Sequence, residues 1–174
     1  MSVSAEDLRA IMPHAKQSSI DRFVGPLNDT MDGYEIDTPE RQAMFLAQIA
    51  HESGSLRYTE EIASGEAYEW REDLGNTKEG DGVRFKGHGL IQLTGRANHE
   101  HYAADKEMSV EDVLVYLQTA EGAADVAGWF WHTKHLNEHA DRGDFRRITK
   151  IINGGLNGWG ARLTIYERAQ DVLA

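Results

Sequence analysis

The chain has 174 residues, of which 40% are hydrophobic and 27% charged, with a formal net charge of −11 and no cysteine. That length suits a single domain, 1–174, with a real core, and the composition excludes disulfides and thiolate chemistry. The acidity argues against nucleic acid and anionic membrane surfaces as partners, and no apolar run is long enough for membrane insertion.

Taken in chain order, the first residues show no basic stretch leading into an apolar one, so no secretory signal is read there. A short helix is predicted from Ser4 to about Met12, stopped near Pro13. A second begins near Lys16, with Ile20, Val24, Leu27 and Met31 at helical spacing. Gly25-Pro26 falls inside that pattern and predicts a kink, or a break and restart. The third helix is the clearest. Thr38 can cap it and Pro39 suits its first turn. From Ala43 to Ala50 only Gln48 is polar, the mark of a helix buried on all sides. It delivers His51 and Glu52 at its end, with Gly54 as terminator.

Residues 61–89 are polar and glycine-rich with little periodicity, and read as a long functional loop or a small β-hairpin region. Helical pattern returns at Ser109, a capping residue, with Val110, Val113, Leu114 and Leu117. It continues through Ala123, Ala127 and Phe130, then Phe145, Ile148 and Ile152. The last helix carries Trp159, Leu163, Tyr166 and Ala169 on one face. These elements predict an all-α domain. The four tryptophans read as core or scaffold before sugar platforms.

Two carboxyls facing each other, one protonated and one ionised, are the requirement of glycoside hydrolysis. Glu52 suits the first role, because burial and the negative end of a helix both disfavour its charged form. Glu60 and Glu61 are the candidates for the second. An unbroken helix would put Glu61 on roughly the opposite face from Glu52, so the chain must turn at Gly54. Gln92 and Thr94 lie two residues apart and would share a side if extended. Asn153-Gly154-Gly155 reads first as a tight turn.

Other chemistries lack their spacing. A zinc protease needs a second histidine four residues after His51, and position 55 is serine. Neither His99 with His101 nor His132 with His135 has a third ligand at a metal-site interval. Residues 79–82 are acidic and glycine-rich but too short for an EF-hand calcium loop. Gly87-His88-Gly89 lacks a phosphate-loop lysine.

Together the segments Pro26-Leu27, Asp37-Thr38-Pro39, 45–54, Glu61, Gly75-Asn76-Thr77, Gly80-Asp81-Gly82, 85–98, Trp129-Phe130-Trp131, 152–155, Asn157-Gly158, Arg162 and Tyr166 resemble, in order and spacing, glycoside hydrolase family 19. This is the chitinase-like group that includes many phage endolysins. The resemblance implies an α-rich, lysozyme-like, bilobal fold and an inverting single displacement without a cofactor or metal. It casts Glu52 as general acid, Glu61 as general base and Thr94 as a holder of the attacking water. Gln92, Asn98, Asn153, His51 and Tyr58 fall among the sugar-binding positions. The chain departs from the family at His88, where relatives carry arginine, and at Ala161, where an aspartate is common. It also lacks the disulfides of plant members.

The expected activity is hydrolysis of peptidoglycan between N-acetylmuramic acid and N-acetylglucosamine, by a monomer made in a host cytoplasm and released to the wall by a holin. The alternatives are a chitinase, an antibacterial wall-degrading toxin and a catalytically dead wall-binding protein.

Overall fold

The computed structural model describes residues 2–174. Ten α-helices follow one another among them: α1 (Ala5–Ile11), α2 (Gln17–Gly33), α3 (Pro39–Glu52), α4 (Asp81–Arg84), α5 (Arg96–Asp105), α6 (Val110–Tyr116), α7 (Ala120–Thr133), α8 (Leu136–Asp141), α9 (Phe145–Asn153) and α10 (Trp159–Leu173). The all-α class is what the structure has, with only isolated bridges, Glu60 to His88 and His88 to Leu93, in place of strands among the described residues.

Local chemistry sets the helix starts. Ser4 caps α1 in a reciprocal box with Asp7. Thr38, Ser109 and Thr119 cap α3, α6 and α7 with their hydroxyls. Helix α3 is buried from Gln42 to Ala50 and packs along α10, while α2 packs along α7. Helix α1 closes against α2 and α10, and α8 links α3, α7 and α9. A smaller group holds α4, α5, α6 and two 3-10 turns at Glu66–Tyr68 and Glu72–Leu74.

Three expectations change here. Helix α2 runs through Gly25-Pro26 as one element. Proline removes one internal hydrogen bond, but Ile20, Phe23, Leu27 and Met31, buried on both sides of it, hold the helix in place. Each such side chain contributes roughly 1.5–3 kcal/mol. Helix α5 has no counterpart in the periodicity, since only His99, Tyr102 and Ala103 of its ten residues are buried. The 61–89 stretch forms helical turns where a β-hairpin was one option, and an ion pair to α5 together with carboxylate-to-amide hydrogen bonds fixes its course. Asp81, almost fully buried, accepts from Arg96 Nη2 and Nε at 2.7 and 2.8 Å and from the Thr77 and Lys78 amides. Arg96 first among these holds its carboxyl down at about 2. Glu69 takes the Gly80 and Gly82 amides at 2.7 and 2.8 Å.

Candidate active site

Helix α3 ends at Glu52, and the next turn is unusual. Gly54, Ser55 and Leu56 all take left-handed backbone, with φ of 59°, 58° and 65°. Two non-glycine residues there cost roughly 1–2 kcal/mol each. Leu56 offsets this by burying completely in the core, and Ser53 Oγ ties the turn by donating to Ile49 O at 2.6 Å and accepting from Leu56 N at 2.9 Å. The chain therefore doubles back, and residues 58–61 return beside the helix end.

Glu52 is held by a residue far along the chain. Arg162 of α10, 1% exposed at its side chain, donates from Nη2 to Glu52 Oε1 at 2.6 Å. Its Nη1 donates to Gln48 Oε1 at 2.6 Å and its Nε to Asn157 O at 3.1 Å. Gln48 in turn donates to Thr149 Oγ1 at 2.8 Å. This buried cation acts on Glu52 in addition to its burial and its place at the helix end. Since Arg162 can only donate, a proton on Glu52 resides on Oε2.

Glu61 is held by neutral donors. Tyr68 Oη donates to its Oε1 at 2.9 Å and the Gly87 amide to its Oε2 at 2.9 Å, while Glu61 N donates to Gly87 O at 2.8 Å. Burial, then the bond to Glu61, pushes the Tyr68 phenol up, so it remains a donor. Glu60 instead faces Lys86 Nζ at 3.0 Å. Glu52, Tyr58, Glu60, Glu61 and Gln92 line one cavity of about 240 Å³.

Gln92 also lines the next cavity, of about 340 Å³, with Thr94, Asn98 and Asn153. A third, of about 190 Å³, shares Asn98, Phe130 and Ile152 with it. The three make a continuous groove. Gln92 is not extended, since its φ is 57° and residues 88–93 form a tight turn closed by His88 N to Leu93 O and Leu93 N to His88 O. Gln92 and Thr94 reach the same cavity through that turn. The groove thus gathers Glu52, Tyr58, Glu61, Gln92, Thr94, Asn98 and Asn153. His51 is not among the lining residues. Its ring packs against Gly158, where a Cβ would have no room, and burial followed by Arg162 lowers its pKa.

Beneath the turn, His88 Nδ1 lies 2.9 Å from His99 Nε2, and His99 Nδ1 lies 2.8 Å from Gly95 O. A carbonyl only accepts, so neutral His99 carries its proton on Nδ1 and His88 donates. Of the tryptophans, Trp129 and Trp131 are core as expected, whereas Trp70 is 59% exposed in the 61–89 stretch.

Arg162, Gln48 and Tyr68 are site residues without a role in the sequence-based reading, although Arg162 was named there as a matching position and Gln48 as the one polar residue of its segment. Gln48 was the available signal, because a lone amide inside a buried apolar helix needs a partner. A larger cavity, about 460 Å³ between α2 and α7, is elsewhere. Its inner carboxylate, Asp125, is already occupied by Tyr34, Tyr102 and Lys106.

Two differently held carboxylates lining one groove of a helical body are the arrangement that two-carboxylate glycoside hydrolysis requires. Comparison with known proteins agrees. Over 159 residues the chain is 30% identical to a glycosyl hydrolase family 19 domain-containing protein of Haemophilus influenzae, covering 72% of this chain and 76% of that one. An Arabidopsis thaliana endochitinase is 33% identical over 130 residues, but the chain spans only 44% of its length. Chitinase C of Streptomyces griseus has the same fold, with a TM-score of 0.79 at 19% identity over 98% of this chain and 76% of that one. A class IV family 19 chitinase from Zea mays gives 0.74 at 21% identity, over 98% and 92%. No protein-family profile matches the chain. The chain belongs to glycoside hydrolase family 19.

Proposed function

We propose that the chain hydrolyses the β-1,4 bond between N-acetylmuramic acid and N-acetylglucosamine in peptidoglycan, as a wall-degrading enzyme of the phage endolysin type. The observation that carries the glycosidase part is the presence of Glu52 and Glu61 in one cavity, one beside a buried cation and the other held by a phenol and an amide. Glu52 gives a proton from Oε2 to the glycosidic oxygen. Glu61 takes a proton from a water that attacks the anomeric carbon from the opposite face. Gln92, Thr94, Asn98 and Asn153 align the strand by hydrogen bonds along the groove, and no cofactor takes part.

The choice of peptidoglycan draws support from the groove's charge. Its carboxylates are confined to the acid end, and the cations Arg71 and Lys134 lie beyond Gln92. A second reading, chitin hydrolysis, draws on the relatives named as chitinases. Mass spectrometry of fragments released from purified murein separates them. Fragments ending in reducing muramic acid are expected. Inert murein with cleared chitin, or fragments ending in reducing glucosamine, would reject the proposal.

A further inference from the structure

The groove changes character along its length. Three carboxylates, Glu52, Glu60 and Glu61, line the first cavity, whereas the two beyond Gln92 have none among their lining residues. Of the two cations there, Arg71 is bound to Asp73 through Nε and Nη2 at 2.7 and 2.6 Å. Lys134 differs. It is exposed at the C-terminus of α7, in no ion pair with a described residue, with Nζ 5.8 Å from the centre of the Phe130 ring. Of the two cations, it is the one whose charge no carboxylate of a described residue neutralises. Phe130, Ile151 and Ile152 give the same cavity an apolar wall.

We infer that this distal cavity receives an anionic substituent projecting from a sugar of the bound strand, the lactyl ether of muramic acid with its stem peptide. Lys134 faces a carboxylate of that substituent, and the apolar wall takes its methyl-bearing chain. Sugar hydroxyls alone would leave this wall facing polar groups, at a desolvation cost. A chitin strand carries no such substituent. Lys134 is therefore a specificity determinant, acting at contact range where the overall charge of the protein gives no attraction. The inference rests on the peptidoglycan reading and goes further by naming the group recognised and the residue that recognises it.

Steady-state kinetics on soluble murein glycan strands and on glycol chitin test it, with wild type, Lys134→Glu and Lys134→Arg compared and thermal melts recorded for each. For Lys134→Glu the murein KM should rise about tenfold with kcat held, the murein-to-chitin ratio of kcat/KM falling by the same factor. Lys134→Arg should restore both. A murein KM in Lys134→Glu equal to wild type overturns the inference and leaves the peptidoglycan reading standing. Equal losses on both substrates also overturn it, as the mark of a general structural role. A wild type that cleaves chitin but never murein overturns the reading, and the inference with it.

Discussion

Glu52 and Arg162 are 110 residues apart in the chain and 2.6 Å apart in space. The consequence is chemical as well as structural, since the guanidinium fixes which oxygen of Glu52 can carry a proton. Glu52→Gln keeps the shape and an acceptor oxygen for Arg162 but has no proton to give. It should lower kcat on the order of 10²–10⁴-fold, and the melting temperature should fall as well, because the buried Arg162 loses its carboxylate partner. Glu61→Gln should lose activity on a similar scale. Glu60→Gln should lose far less, because that carboxylate faces Lys86 rather than a donor set suited to a base. Turnover on murein for the three variants checks the assignment, and an inactive Glu60→Gln beside an active Glu61→Gln would reverse it. At this scale the place of Glu52 at the end of a buried helix was legible in the sequence, and Glu61 was one of two options for its partner. Arg162 was not legible as Glu52's partner, because nothing local to either residue encodes a contact across that separation.

Helices α3 and α10 are clasped by the buried chain of Thr149, Gln48, Arg162 and Glu52. Removing one member of a buried polar network leaves the others unsatisfied, so Arg162→Met should destabilise the fold by about 3 kcal/mol, measured by urea melts. The 88–93 turn is clasped by a different pair. Burial first lowers the His88 pKa and takes His99 to about 4, whereas an unfolded histidine titrates near 6.5. Between those values the unfolded chain binds more protons. Stability is therefore complete above about pH 6.5 and falls as pH drops toward about 4, by on the order of 3 kcal/mol from His99. Urea melts across that window should show the decline, and a flat profile would contradict a neutral pair. Helix starts at Ser4, Thr38 and Ser109 were readable because capping is local chemistry. Helix α5 escaped because ten mostly polar residues carry no repeat, and its place is set by Asp81 gripping Arg96 at its first residue. Of the kink or break expected at Pro26, the break does not occur for the complementary reason, since burial against α7 outweighs a local rule.

For the whole molecule, one contiguous core runs from Val3 to Leu173, while Phe85 sits outside it against His99 and Arg96 in the smaller group. The all-α class was legible in the order of apolar repeats; the path of 61–89 was not, because carboxylates gripping Arg96 and backbone amides, rather than periodicity, organise it. A net charge of −11 repels an anionic polymer at long range. Raising ionic strength from ~0.01 to ~0.15 M shortens the screening length from ~30 to ~8 Å. Initial rates at low substrate should therefore rise on murein and stay level on neutral glycol chitin, and a fall on murein would contradict this. The central claim is that Glu52 and Glu61 act together on one bond and one water, in a single displacement. Proton NMR of the anomeric signals during the first turnovers tests it most directly. The account predicts that the α-anomer of the new reducing end appears first from the β-linked substrate, with the β-anomer following only by mutarotation. A β-anomer formed first would contradict it.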